Sequence, residues 1–290
     1  MNTNLIISGG GFKVIRILGG LKYMEEQNSL KQIKAFYGTS AGGILCLLLC
    51  LNYSMNQIIK IFNEHFTEKL KVVNADINNF FNKYSFCDST KFTKLIKTLI
   101  GCKLNPVNPN QYKEITLKEL YEKTGKKLTC TTISLKTYKI KYLNYINQPN
   151  LPVYKLICMT SCIPLVFEPI EHEGDFYIDG GIVDNFPITA VPIHELPLTL
   201  GIGIKSPKYD CDISYGNVIE YINRIIFIAA NHDLPRNLNN VVYVTIDKRL
   251  EQNMIDTEIT VDERMEMIDA GYEEVKQQLK MLKPKRRKSL

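Results

Sequence analysis

Ser40 stands at the centre of Gly38-Thr39-Ser40-Ala41-Gly42, a G-x-S-x-G pentapeptide preceded by IKAFY and followed by GILCLLLCLN. A serine hydroxyl is a weak nucleophile unless a base takes its proton and donors stabilise the oxyanion created by its attack. Part of this is supplied by position. A strand leading in and a buried helix leading out make a sharp turn that exposes the hydroxyl, and only small flanking residues tolerate such a turn. The helix that begins there aims its free N–H groups and positive dipole end at the same spot. With glycine and serine each near 7% of residues, the pentapeptide alone arises by chance in about one chain in ten of this length. A helix N-cap or a plain small-residue turn is the competing reading of Ser40.

Two further clusters bear on chemistry. Gly9-Gly10-Gly11, with Phe12 and Lys13, follows the first apolar run. It matches neither G-x-G-x-x-G nor G-x-x-x-x-G-K-[ST], so clustered backbone N–H groups for an oxyanion suit it better than a nucleotide phosphate. FYIDGGIVDNFP places Asp179 at a strand end before Gly180 and Gly181, which let a substrate or another backbone approach closely. The four histidines, His65, His172, His194 and His232, lie in no motif.

The elements that must position these residues are legible as periodicities. A strand over 5–8 and a glycine turn lead into a helix with Val14, Ile17, Leu18, Leu21 and Met24 three and four apart. A second strand over 33–37 precedes the pentapeptide, and the helix after it is apolar on every side, hence buried. This order predicts an α/β fold, a mostly parallel central sheet with helices on both faces, and puts both sharp turns at carboxyl ends of strands. Residues 52–127 read as a helical insertion or cap. Ile58, Ile59, Ile61, Phe62 and Phe66 suggest an amphipathic helix and Thr116 with Glu119 a capping box, with no strand signal between.

Strands return at KLTCTTISL and YKIKYLNYI, followed by a helix over 153–161, a strand LVFEPI and a hairpin through EHEGD into FYID. A strand over 198–204, a helix over 218–230, a strand over 241–246 and a last helix from Thr260 complete the chain. In that helix Val261, Met265, Ile268, Tyr272, Val275, Leu279 and Leu282 alternate four and three apart. The stripe suits docking on the domain; a sustained 3.5 spacing also suits a coiled-coil seam.

Composition bounds the partners. The 290 residues, 45% hydrophobic, suffice for one domain over 1–282 followed by a basic tail, 283–290. Five of the six net positive charges sit in that tail (Lys283, Lys285, Arg286, Arg287, Lys288), so the body lacks the basic character that nucleic acid would favour. Three readings of the tail stay open: peripheral contact with anionic lipid headgroups, nuclear import, or simple solvation. The eight cysteines form no C-x-x-C pair and argue against a disulfide scaffold or a zinc site. Cys46/Cys50 and Cys158/Cys162 read as buried free thiols. Neither a signal peptide nor a transmembrane segment is expected, since the longest apolar run, Ile44–Leu51, falls far short of about 20 residues. That points to a cytoplasmic protein, at most peripheral to membranes.

GGGFK, GTSAG and DGG, in that order, resemble the three hallmarks of the patatin-like phospholipases. TSCIPLVFEP, Asn185 and Pro187 in DNFP, and AGY in the last helix are similar to further segments of that family, so the resemblance covers most of the chain and is weakest over 52–127. It implies a patatin-like α/β/α fold and a dyad without histidine, Ser40 as nucleophile and Asp179 as general base. It also implies an oxyanion hole from Gly9, Gly10, Gly11, Phe12 and Lys13, no metal or organic cofactor, and a phospholipid or other lipid acyl ester as substrate. One position departs: the family's glycine after the basic residue is Val14 here, and a β-branched residue disfavours positive φ, so the loop is expected to run straight into helix. A carboxylate of ordinary pKa is a weak base for a serine hydroxyl, so Asp179 is expected to be shielded from water, with 52–127 as the shield. A non-lipid carboxylesterase and a catalytically silent interaction protein on the same fold are the alternatives.

Overall fold

The computed structural model describes residues 2–66, 85–205, 240–246 and 259–282. The described chain runs β1 (Asn4–Ile7), α1 (Ile15–Glu26), β2 (Ala35–Thr39), α2 (Ala41–Cys50), α3 (Met55–Ile61), β3 (Ser85–Cys87), α4 (Thr90–Leu104), α5 (Leu117–Thr124), β4 (Lys127–Ser134), β5 (Lys139–Leu143), α6 (Val153–Ser161), β6 (Leu165–Phe167), β7 (Ile170–His172), β8 (Asp175–Asp179), β9 (Thr199–Lys205), β10 (Val241–Thr245) and α7 (Val261–Leu282). The expected helix over 218–230, His232, Cys211 and the basic tail lie outside the described residues.

Strands β10, β9, β1, β2 and β4 lie side by side in that order, all parallel. Beyond them β8 and β7 continue the sheet antiparallel, and β5 pairs antiparallel with the other edge of β4. Every residue of β1 and β2 is buried, as a parallel strand covered on both faces requires. Alternation sorts their side chains. Leu5, Ile7 and Phe36 join the main core with α1, α2 and α7, whereas Ile6, Ala35 and Tyr37 meet Phe186 and Val191 beside the short 3-10 turns Ile188–Ala190 and Ile193–Leu198. All ten residues of α2 are buried, as its all-round apolar sequence demands.

The expected hairpin forms between β7 and β8, with Glu173 and Gly174 both at positive φ, as a two-residue I′ turn needs. The single strand expected for LVFEPI is instead two. Leu165–Phe167 pairs in parallel with β3, Ile170–His172 joins the main sheet, and Pro169, which has no N–H to donate, lies at the break. β3 falls inside 52–127, where no strand was expected, because three residues are too few to show an alternation. Helices α3, α4 and α5 place Met55, Ile58, Leu95, Leu99 and Leu120 in the main core. Capping boxes start α3 at Ser54–Gln57 and α5 at Thr116–Glu119. The apolar run after α3 continues as a π-helical turn, Phe62–Phe66.

The last helix docks on α1. Gly19 and Gly271 let the two backbones meet: a methyl group on Gly19 would fall 1.8 Å from the Ile268 carbonyl oxygen, and one on Gly271 2.0 Å from that of Arg16. Tyr23 and Tyr272 pack edge to face at 5.3 Å, and Arg16 pairs with Glu274 at 3.2 Å. Gln278 Oε1 accepts the Tyr243 N–H at 3.0 Å and Glu274 Oε2 the Thr245 N–H at 3.0 Å, so α7 also satisfies β10. Ile268 and Val275 of the expected stripe are buried, but Val261 is exposed and Met267 is buried in its place. A docking face is broader than a coiled-coil seam. Cys46, Cys50, Cys158 and Cys162 are free and buried, as expected. Among the described residues no helix is long and apolar enough to cross a membrane.

Gly271→Val must push α7 away from α1. It is expected to cost about 1–3 kcal/mol of stability, read as a lower urea midpoint with an unchanged slope.

Candidate active site

The site is assembled along one edge of β4. Thr39, at the end of β2, lies opposite Thr131, and Asp179, at the end of β8, lies opposite Thr132. The other edge of β4 at these positions is taken by β5, so β2 and β8 share this one. β2 runs with β4 and β8 runs against it. Their carboxyl ends therefore meet head to head, one register step apart.

Ser40 follows directly as the elbow, with φ 54° and ψ −128°. This is a strained conformation for a residue with a Cβ, costing about 1–3 kcal/mol. Ser40 occupies the N-cap of α2, yet its side chain makes no capping bond, so the hydroxyl is not used by the helix. Its N–H donates to Thr160 Oγ1 at 2.9 Å, and the Thr160 hydroxyl donates onward to the Thr131 carbonyl at 2.7 Å. The pentapeptide's glycines are dictated by contact. A methyl group on Gly38 would lie 2.7 Å from the Gly42 carbonyl oxygen, and one on Gly42 2.4 Å from those of Ile7 and Ser8.

Asp179 is buried, only 3% exposed, and its carboxylate faces the Ser40 hydroxyl and accepts, at 2.7 Å, from the Gly181 N–H. Its own N–H donates to the Cys162 carbonyl at 3.0 Å. Burial pushes its pKa up from 3.8 to about 7, against the lowering effect of the Ser40 hydroxyl and the Gly181 N–H. The expected shielding of this carboxylate is thus present. Gly180 must lack a side chain because a Cβ there would sit 2.5 Å from Thr131 Cγ2.

The glycine loop after β1 lies on the elbow: a methyl group on Gly9 would be 3.1 Å from Ser40 Cβ and 2.3 Å from Asn185 Oδ1. Gly11, at φ 55°, opens a 3-10 turn over Gly11–Val14 that passes straight into α1, with Val14 in the right-handed helical region, as expected. Within the loop the N–H groups divide. That of Gly9 is engaged with the Asn185 carbonyl at 3.0 Å and that of Lys13 with the Gly10 carbonyl at 3.0 Å. Gly11 and Phe12, at the start of the turn, have no helical acceptor, and neither do Ala41 and Gly42 at the start of α2. Two helical N-termini, with their partial positive charge, therefore flank Ser40.

Several residues of this framework carry no sequence motif. Thr160 and Thr131 hold the elbow, and the Thr39 hydroxyl donates to the Asp184 carbonyl at 3.0 Å and lies 2.8 Å from Thr131 Oγ1. The Asp184 carboxylate accepts from Tyr142 at 2.7 Å and Thr189 at 2.9 Å, which fixes the segment from which Asn185 grips Gly9. Their only trace in the sequence is that polar side chains occur where a strand or helix is otherwise apolar. Among the described residues no histidine hydrogen-bonds to Ser40 or Asp179. His172 lies opposite Asp175, at the far end of the β7–β8 hairpin, and His194 is exposed.

Comparison with known proteins agrees with this geometry. The family model described as patatin-like phospholipase matches residues 5–192. The chain belongs to the patatin-like phospholipase family. It is 29% identical over 187 residues to "Probable lipid hydrolase 463L" of Invertebrate iridescent virus 6, covering 63% of this chain and 61% of that protein. To "Triacylglycerol lipase ptl3" of Schizosaccharomyces pombe it is 26% identical over 213 residues, 64% of this chain and 41% of the lipase. The chain thus spans about three fifths of the viral relative and two fifths of the yeast one. In structure it is similar to VipD of Legionella pneumophila, with a TM-score of 0.59 at 14% identity over 97% of this chain and 67% of that one. That likeness is one of fold, a mixed sheet with helices on both sides.

The buried carboxylate has a cost that depends on pH. Because folding raises the Asp179 pKa from 3.8 to about 7, its contribution to stability is full below pH 4 and is lost as pH rises through 7. Asp179→Asn is therefore expected to be more stable than the parent at pH 8, by an amount on the order of a few kcal/mol, with the gap closing toward pH 4. Urea midpoints at the two pH values measure this.

Proposed function

We propose that the protein is a lipid acyl hydrolase of phospholipase A type, acting through Ser40 and Asp179 and a covalent acyl-enzyme. The observation that carries this reading is a buried carboxylate, placed beside the Ser40 hydroxyl by the head-to-head ends of β2 and β8, whose pKa burial pushes up to about 7. A base poised near neutrality is what proton removal from a serine hydroxyl needs. Ser40 attacks the ester carbonyl while Asp179 takes its proton, and the N–H groups of Gly11, Phe12, Ala41 and Gly42 hold the oxyanion. Asp179 returns the proton to the departing alcohol. A water molecule, deprotonated by the same carboxylate, then attacks the acyl carbonyl, the bond to Ser40 Oγ breaks, and Asp179 returns the proton to Ser40 as the fatty acid leaves.

Family membership supports a lipid substrate, as do the names of the viral lipid hydrolase and the yeast triacylglycerol lipase it resembles. In this reading residues 1–282 form one catalytic domain, 52–127 is its helical insertion and shields the site, and the tail over 283–290 touches anionic membrane from the cytoplasmic side.

A fluorophosphonate probe is expected to label the parent at Ser40, to fail on Ser40→Ala and to label Asp179→Asn weakly. Both variants should lose at least about a hundredfold in hydrolysis of phospholipid vesicles. The parent's rate should rise as pH climbs through about 7, because only the ionised Asp179 accepts a proton. Labelling at another serine, or undiminished lipolysis by Ser40→Ala, defeats this mechanism. Turnover of short soluble esters without turnover of vesicles points instead to a carboxylesterase.

A further inference from the structure

A cavity of about 490 Å³ opens between α4 and α6 and is bordered by Glu168 and Ile170. Ser40 is not part of its wall. Cys158 of α6 lines it, whereas Thr160, two residues on, points at the elbow; two positions on a helix are roughly 200° apart, so one helix serves the two places with different faces. Four lysines reach this cavity: Lys94 and Lys97 from α4, Lys113 from the segment before α5, and Lys155 from α6. Its one lining carboxylate, Glu168, accepts from Ser89 at 3.3 Å. The lining therefore carries a surplus of three positive charges, in a chain that without its tail carries only one overall.

These charges are largely uncompensated. Lys97 pairs with Glu114 and stands 4.0 Å from the Tyr154 ring centre, but among the described residues Lys94, Lys113 and Lys155 make no ion pair. Like charges gathered in a concave, partly apolar wall repel one another and concentrate counter-ions. Thr93 and Thr98 add hydroxyls to the ammonium groups, whereas the Thr90 hydroxyl is taken by the Asp88 carboxylate at 2.6 Å. Lysine is a point-charge ligand for phosphate, and a volume of this size falls within the roughly 300–1,000 Å³ of small-molecule sites. We propose that this cleft binds a phosphate polyanion, carried by a lipid headgroup or free in solution, at a site separate from Ser40.

The proposal does not rest on catalysis, and full-length Ser40→Ala protein tests it without turnover. Two probes separate the sources: inorganic pyrophosphate, by calorimetry, and phosphatidylcholine vesicles containing phosphatidic acid, by flotation, against phosphatidylserine vesicles of matched charge. Binding of either phosphate probe supports the site, with pyrophosphate marking a free ligand and a preference for phosphatidic acid alone marking a headgroup. Lys94→Gln and Lys155→Gln are each expected to weaken binding about fivefold, and together about 25-fold, the factor for one basic residue at an anionic surface. Glu114→Gln, which releases Lys97, should tighten it, and added salt should weaken it. Lys94 is exposed, so Lys94→Gln and Glu114→Gln decide the matter even if the double variant does not fold. Failure of both probes to bind overturns the proposal. So does binding that the lysine substitutions leave unchanged, which assigns the attraction to the basic tail.

Discussion

One register step on β4 governs the site. Thr131 and Thr132 are neighbours in a single strand, and each is paired to the end of a different strand running in the opposite sense. Two chain ends that meet head to head along a shared edge leave no room for a further strand between them. What fits is the elbow, whose small residues admit the carbonyls of Ile7 and Ser8, and the DGG turn, whose first glycine lies on Thr131. The spacing of Ser40 and Asp179 is thereby set by backbone pairing and not by side-chain rotamers. Such a juxtaposition is held more rigidly than one between two surface loops.

The same arrangement explains the electrostatics. A carboxylate at a strand end inside the sheet loses water on every side, which raises its pKa and makes it a competent proton acceptor near neutral pH. Left alone it would be a poorly solvated charge, and the Gly181 N–H and the nearby Ser40 hydroxyl partly offset the rise. Charge that develops on a bound carbonyl falls between two helical N-termini. In the proposed mechanism, desolvation of the base and stabilisation of the oxyanion both follow from one feature, the closeness of two sharp turns to buried strand ends.

Much of this could be read from residue order alone, for reasons that differ by element. Helix α2 announces itself because a ten-residue apolar run after a glycine-flanked serine can only be a buried helix. The caps at Thr116 and Thr260 were legible because the capping box is a local, short-range pattern. The glycine loop's continuation into α1 followed from the β-branched Val14. Less legible was everything that depends on partners far along the chain. The three-residue strand β3 exists only through pairing with Leu165–Phe167, and α7 buries Met267 in place of Val261 because α1 and β10 determine its face. Thr160, Thr131 and Asp184 are ordinary polar residues until the fold places them under the elbow. The engagement of the Gly9 N–H by Asn185 could not be foreseen from a glycine run, since it depends on a loop supplied by a distant segment.

Strand order has a further consequence for the birth of the molecule. Ser40, just after β2, is made before its carboxylate neighbour, which arrives with β8, and β1 gains its second neighbour only with β9. Chains are made in the order of a few to some twenty residues per second. For several seconds a nascent protein holds the hydroxyl without the carboxylate that faces it, and without Asn185 to seat the glycine loop. The pairing that sets Ser40 against Asp179 is therefore completed only after β8 has been made, and the sheet itself only after β9 and β10.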